Sequence, residues 1–453
     1  MLEEVTYVSK RRQIASIHAI TELQEEYSVF EANLKQFNTS SQLCISAEHH
    51  SHNLTTDKHI AVLQTSKSKP EIMEIVACSM GSSTSSLYSA LAKTVSRPAL
   101  PPPCDSNYNP GNDLDLDQDP ADPSELLQEC KEVLRNRPAQ LQRAFVQTGH
   151  GDARQAIRVM QWNVLAQALG EGMDSFVQCP MDALNWAERK YLILQEILTY
   201  NPDIICLQEV DHYFDMFQPI LASLGYQSSF CPKPWSPCLD VENNNGPDGC
   251  ALFFNHKRFQ SLNTTHLRLS AMMLKTNQVA IIAALRCRAT ERAFCVAVTH
   301  LKARSGWEVL RSAQGSDLLR NLRNVAQRIE TEEQSDTDIP LIVCGDFNAE
   351  PSEDVYRKFA TSNLGLDSAY KHLSTDGKNE PPYTTWKIRP SGESCHTLDY
   401  VWYSHRAFDV NAVLDFPTAE QIGPNRLPSY NYPSDHLSLV CDFSFKDPTL
   451  VSQ

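Results

Sequence analysis

The sequence predicts an α/β domain of layered sheet and helix behind a long N-terminal extension. Two observations lead there. From about residue 154 onward, short apolar runs bounded by polar or turn residues alternate with segments whose apolar residues recur at spacings of 3 and 4, the pattern of strand, helix, strand. Five of those runs also end or begin at a residue able to do chemistry: Asn163, Glu209, His300, the pair Asp346 and Asn348, and Asp435 with His436. Singly, each is an ordinary solvated or structural residue; five together predict one site, because strand ends of a layered sheet gather at one rim.

In chain order, residues 1–120 show no sustained periodicity, and 98–110 with Pro101-Pro-Pro103 is extended linker by composition. A short helix is expected in Leu23 to Phe37. Met80-Gly-Ser-Ser-Thr-Ser85 would fit N-myristoylation at Gly81 only if translation began at Met80; as written it is an internal Ser-rich patch. Order is expected from Asp122-Pro-Ser-Glu125, where Asp caps, Pro suits the first helical position and Glu the capping-box position, with Leu126, Cys130, Val133 and Leu134 on one apolar face. The predicted organisation is an extension over 1–120, a helix and connector over 121–153 with a boundary at Gly149 to Ala153, a catalytic domain over 154–446 and a tail over 447–453.

Within the domain, strands are predicted at Ile157–Asn163 and Asp203–Val210. They are joined by a helix carrying Leu184, Ala187, Tyr191, Leu194 and Leu198 on one face. Further strands are predicted at Phe294–His300, Leu341–Cys344, Thr397–Tyr403 and Leu437–Phe445, with a helix from about Glu308 to Glu330 and the acidic stretch Glu330 to Asp338 in a loop. Leu341 to Cys344 is wholly apolar between Pro340 and Gly345, so it should be buried on both faces. On extended chain beyond it, Asp346 and Asn348 would project to the same side.

The net charge of −15 argues against holding long nucleic acid by bulk electrostatics, which needs clustered Lys and Arg, although much of the acidity lies in Asn112 to Pro120. The 14 cysteines lack paired CxxC spacing, and Cys206, Cys295, Cys344 and Cys441 sit in apolar runs, as buried thiols of a reducing compartment would. No run approaches the roughly 20 apolar residues of a membrane span. Residues 1–25 carry Glu3, Glu4, Lys10, Arg11 and Arg12, so no stable membrane insertion and a cytoplasmic, non-secreted protein are expected.

The rim inventory suits metal-assisted phosphoester hydrolysis. Glu209 offers a hard oxygen to Mg²⁺, which takes few carboxylates and keeps waters for phosphate. Asp346 can serve as general base on water, with Asn163 and Asn348 fixing oxygens. His300 and His436 can donate as negative charge develops, and Asp399 can orient His436 through its ring nitrogen. Lys233, Lys302 and Arg304 would bind phosphate.

Gln161-Trp-Asn163, Leu207-Gln-Glu209, Thr299-His300-Leu-Lys302, Gly345-Asp-Phe-Asn348, Leu398-Asp399-Tyr and Ser434-Asp-His436 resemble, in order, the motif set of the endonuclease/exonuclease/phosphatase superfamily. Trp162 to Gly170, Phe230 to Asp240, Asn244 to Phe254 and Gly423 to Pro428 resemble its deadenylase-like branch, and Met80 to Thr94 is similar to the start of shorter members. The resemblance implies a two-sheet α/β sandwich with one Mg²⁺ held by Glu209. For the narrower branch it implies a monomer that removes the 2′-phosphate from NADP⁺ and NADPH in metabolic and circadian regulation, with nuclear or mitochondrial alternative forms.

Carried over residue by residue, Lys233, Pro234, Trp235, Asn277, His300, Leu301, Lys302, Ala303, Arg304, Asp346, Phe347, Asn348 and His436 fall on substrate-contacting motifs. Related deadenylases share the catalytic set, so hydrolysis of mRNA poly(A) is the alternative, with RNA and mRNA-regulatory proteins as partners. The loop Cys231 to Asp248, rich in Pro, Asn and Gly, suits closing over one small dinucleotide better than a basic channel for stacked adenines. A non-catalytic scaffold would be signalled by loss of Glu209, Asp346 or His436, and all three are present.

Overall fold

The computed structural model describes residues 121–446 apart from 149–155, 174, 243 and 336–337. The expectations for residues 1–120, the boundary at Gly149 to Ala153 and the tail over 447–453 lie outside the described residues.

Two mixed sheets carry the domain. Strands β1 (Phe145–Gln147), β2 (Ile157–Asn163), β3 (Ile204–Val210), β4 (Tyr226–Pro232) and β5 (Gly249–Asn255) belong to one. The long pair β6 (Phe259–Ala271) and β7 (Leu274–Cys287), with β8 (Ala293–His300), β9 (Leu341–Asp346) and β10 (Leu366–Ser368), belong to the other. A separate hairpin is formed by β11 (Thr385–Arg389) and β12 (Gly392–His396). β13 (Asp399–Ser404) then joins the second sheet, and β14 (Phe408–Leu414) and β15 (Leu439–Phe445) the first. The orders are β1-β14-β15-β2-β3-β5-β4 and β10-β13-β9-β8-β7-β6.

Among the described residues parallel pairing occurs twice, β2 with β3 and β8 with β9. Each such pair needs a crossover, and the helices Trp186–Tyr200 and Glu308–Glu333 supply them. Alternation then decides the layers. Val159, Ile204 and Cys206 of the first sheet meet Ile281, Val298, Ile342 and Cys344 of the second in one fully buried cluster. Met160, Ile205 and Leu207 point the other way, onto Ile193, Leu194 and Ile197 of the first crossover helix. Ile282, Ala297 and Val343 likewise pack on Leu318, Leu322 and Val325 of the second. The result is the expected two-sheet sandwich with helices outside, stabilised by about 1.5–3 kcal/mol for each large apolar side chain removed from water. β9 is buried along its whole length, as its composition predicts. Every described cysteine is free and all but Cys395 are buried.

Several local expectations are corrected. Asp122 does cap the helix Pro123–Val133, accepting from the Ser124 amide at 2.8 Å, but Val133 is 44% exposed rather than on the buried face. Leu184 ends a separate turn, Met181–Leu184. Asn185 breaks it with extended backbone and caps the helix from Trp186, accepting from the Ala187 amide at 2.9 Å. The acidic stretch from Glu330 begins inside a helix, since that helix runs to Glu333. The last strand starts at Leu439, not Leu437.

Candidate active site

The rim is built where β2 and β3 of one sheet meet β8, β9 and β13 of the other. Asn163, at the end of β2, is 1% exposed and joins the two sheets with a single amide. Its Nδ2 donates to Glu209 Oε1 at 2.9 Å and to Asp346 Oδ2 at 3.0 Å, while its Oδ1 accepts from the Leu165 amide at 3.1 Å. Below it, Gln161 and Gln208 exchange amide hydrogen bonds at 2.6 and 2.8 Å, pinning β2 to β3.

Glu209 does not simply end a strand. The register against β5 slips between Leu207 and Val210, and Glu209 has φ 56. A bulge with a left-handed carboxylate residue re-aims that side chain, at a backbone cost that favours glycine instead. Asn348 is a second such case. It too is left-handed, at φ 49, and its amide donates to Asp346 Oδ1 at 2.8 Å. The alternation argument for Asp346 and Asn348 therefore fails: the chain turns after Asp346, and Asn348 Nδ2 donates to the Leu301 carbonyl at 3.1 Å. Gly345 is required by close approach, because a Cβ there would lie 2.6 Å from the Thr299 carbonyl oxygen of β8.

Asp399 and His436 pair as expected. His436 Nδ1 donates to Asp399 Oδ2 at 2.8 Å, and Thr384 Oγ1 donates to the same oxygen at 2.6 Å. The other ring nitrogen, Nε2, lies 3.8 Å from Asp346 Oδ2, and His300 Nε2 lies 3.6 Å from that same oxygen. Burial works against charge on His436, but Asp399, Asp346 and Asp435 outweigh it and hold its pKa up to about 9. Burial, with Lys233 and His436 nearby, pushes His300 well down, so it is neutral. Burial and Asp399 raise Asp346 to about 6. Two imidazoles on one carboxylate thus differ in charge, the arrangement that separates an acid from a base.

Glu209 is pushed up to about 7 by burial and by Asp435. Its Oε2 has only a 3.4 Å contact from the Ala166 amide, so this carboxylate suits a cation. Among the described residues, ligand atoms of Asp346, Asp399 and His436 also lie within 4.8 Å of one another. Asp399 and His436 already satisfy each other, however, and a hard cation such as Mg²⁺ prefers oxygens. That trio reads as an acid–base relay, and Glu209 fits the metal better.

Of the remaining predicted residues, Lys233 acts electrostatically on Glu209 and His300. Lys233 forms a 2.6 Å ion pair with buried Asp248; burial opposes its charge, and Asp248 and Glu209 more than restore it. Trp235 is half-buried and Pro234 exposed on the loop after β4. Lys302 lies 5.1 Å from the Trp307 ring. Ala303 and Arg304 are exposed, with Arg304 left-handed at φ 79. The buried Arg311 holds this turn by donating to the Lys302 and Arg304 carbonyls at 3.1 and 2.7 Å. Leu301 and Phe347 side chains are buried in the core beneath the second crossover helix, so they face away from the rim. Asn277 lies near the start of β7 and is half-buried.

Sequence reasoning missed Lys387 and Arg389. Both pair with Asp435, Arg389 at 3.5 Å, and with His436 they hold that buried carboxyl well below its ordinary range against the opposing effect of burial. The available signal was Lys387-Ile-Arg389, whose period of two puts both cations on one face of a strand.

Residues 160–436 match the endonuclease/exonuclease/phosphatase family model. The chain is 63% identical to nocturnin of Homo sapiens over 372 residues, 82% of this chain and 84% of that protein. The solved catalytic domain of human nocturnin, with a bound sulfate anion, superposes with a TM-score of 0.57 at 59% identity, covering 68% of this chain and all of that one. ANGEL2, a 2′,3′-cyclic phosphatase solved with adenosine-2′,3′-vanadate, superposes at 0.55 and 25% identity over 67% and 98% of the two chains. The Ccr4 3′-5′-exoribonuclease subunit of Yarrowia lipolytica is 29% identical over 320 residues, 59% of this chain and 45% of that protein.

Proposed function

The chain belongs to the endonuclease/exonuclease/phosphatase family, in the branch that holds nocturnin, and from that premise we propose a Mg²⁺-dependent phosphatase that removes the 2′-phosphate of NADP⁺ and NADPH. The carrying observation is the convergence on Asp346 Oδ2 of Asn163, neutral His300 and protonated His436, with Glu209 on the same Asn163 amide.

Mg²⁺ at Glu209 would neutralise charge on the phosphoryl oxygens. The chain's own groups do the rest. Asp346 takes the proton of the attacking water while its oxygens are held by Asn163 and the Asn348 amide. His436, kept protonated by Asp399, donates to the phosphoryl oxygen as its charge grows. As the P–O2′ bond breaks, the proton collected at Asp346 passes to the departing 2′ oxygen, leaving NAD⁺ or NADH and phosphate.

The dinucleotide reading is supported by cations from separate elements: Lys233 acts on Glu209, Lys387 and Arg389 act on Asp435, and Lys302 and Arg304 stand on the turn after β8. A compact ligand with several phosphates can engage them at once, with Trp235 and Asn277 beside it. The similarity to ANGEL2, a 2′,3′-cyclic phosphatase solved with adenosine-2′,3′-vanadate, favours phosphate carried on a ribose over a polymer end. The Ccr4 similarity favours poly(A) shortening as the second reading. Incubating purified protein with NADP⁺, NADPH and poly(A), with and without Mg²⁺, separates them: phosphate release from the dinucleotides is expected. Shortening of poly(A) with no phosphate released would overturn the NADP(H) assignment.

A further inference from the structure

Arg189 lies in the first crossover helix, Trp186–Tyr200, and is 0% exposed. A buried guanidinium is costly unless its donors are satisfied, usually by a carboxylate. This one donates to backbone carbonyls instead: Nη2 to Val164 at 2.8 Å and to Leu165, and Nε to Pro433 at 2.7 Å. Those carbonyls belong to two different turns. One follows Asn163 directly and includes left-handed Leu165 at φ 59. The other leads into Asp435 and His436.

The same two turns are tied at a second point, where Ser434 Oγ donates to the Asn163 carbonyl at 2.6 Å and accepts from the His436 amide at 3.1 Å. Space has been kept for the guanidinium as well, since a Cβ at Gly170 would lie 3.2 Å from Arg189 Nη1. Lysine could not replace it, because one ammonium cannot reach both turns in the fixed geometry of a planar fork.

We propose that Arg189 is a positioning residue: its guanidinium clamps the turn bearing Asn163 to the turn bearing His436 and so sets where both groups stand about Asp346. This rests on the hydrolase reading of the site, not on which substrate it takes. Because neither turn carries Lys233, Lys302 or Arg304, loss of the clamp damages turnover rather than binding.

The test compares Arg189→Lys with Arg143→Lys. Arg143 is an arginine whose side chain is 1% exposed and tied to Glu196 of the same helix at 2.7 Å, and it reaches Ser438 rather than the two turns. On whichever of NADP⁺, NADPH or poly(A) the wild type turns over, and well below the melting temperature of each variant, Arg189→Lys should lower kcat by about 10- to 100-fold with KM within about twofold. Arg143→Lys should lose thermal stability and keep its kcat. In the cycle with Ser434→Ala the two kcat losses should be non-additive, since both changes open one junction. Should Arg189→Lys fail to fold, Ser434→Ala, which opens the same junction at its other tie, is expected to lower kcat with KM within about twofold, and wild-type kcat in it would overturn the proposal. Wild-type kcat in the folded Arg189→Lys protein, or additive losses in the cycle, would overturn the proposal. A wild type that acts only on poly(A) would overturn the NADP(H) assignment and leave this comparison to be read on poly(A).

Discussion

The floor of the site and its surround are made differently. On the floor, Asn163, Asp346, Asp399 and His436 are each no more than 4% exposed, and each is bonded to another member of the group or held beside it. In the surround, Pro234, Ala303 and Arg304 are exposed, and the cations come from the loop after β4, the turn after β8 and the β11–β12 hairpin. Strand ends locked between two sheets can hold a proton-transfer geometry, while connecting segments can differ between relatives without disturbing it. Damage to the floor should therefore appear in kcat, and damage to the surround in KM.

The largest effect is expected from Glu209→Ala, which removes the carboxylate assigned to the metal. Turnover should fall by at least about 10³-fold, several kcal/mol of lost stabilisation, with an unchanged circular dichroism spectrum. Near-normal Mg²⁺-dependent activity would move the metal elsewhere and break the contrast at its strongest point.

Asp399→Asn comes next, with a kcat loss of about 10²- to 10⁴-fold because His436 loses both its orientation and its counter-charge. The pH profile gives a second reading. At saturating Mg²⁺, which would hold Glu209 ionised, Asp346 at about 6 and His436 at about 9 set the limbs: wild-type activity should fall below pH 6 as the base is protonated and above pH 9 as the acid loses its proton. Removing the Asp399 charge lowers the His436 pKa, so the alkaline limb should move to lower pH in the variant. An unmoved limb would mean that His436 is not the acid being titrated.

Arg304→Ala and Lys387→Ala should each raise KM for NADP(H), by about tenfold for every 1.4 kcal/mol of binding lost, with a smaller change in kcat. A Lys387→Ala protein that binds normally but turns over slowly would place the β11–β12 hairpin with the floor, through Asp435.

The smallest effect is expected away from both regions, at the two-residue turn between β6 and β7. Met272 and Met273 both hold positive φ there, at 49 and 69, and Met273 is 93% exposed. Met273→Gly should stabilise the fold by about 1 kcal/mol, raising the melting temperature by a few degrees, with kcat and KM unchanged. A change in either constant would extend the functional surface from Asn277 to the tip of this hairpin.

The floor was legible because it is written as polar residues closing apolar runs, and Asn163, His300, Asp346, Asp399 and His436 converge as that pattern requires. The surround was legible only in part. Lys233, Lys302 and Arg304 stand beside motif residues, whereas Lys387 and Arg389 lie in a hairpin whose strands are short and half-exposed, with no apolar run to mark them. Alternation also misled at Asn348, since it assumes extended backbone and the chain turns there into the left-handed region.

Local sequence determined the crossover helices, the buried strands and the set of reactive groups, because periodicity and abrupt changes of polarity act within a few residues. Tertiary structure alone decided the rest. The bulge that aims Glu209, the joining of two sheets through the Asn163 amide, and the clamp from Arg189 to Val164 and Pro433 all depend on partners brought together from distant parts of the chain. A guanidinium buried against two remote turns leaves no periodic trace in the sequence, because what selects it is the set of carbonyls left without donors once the sheets have packed.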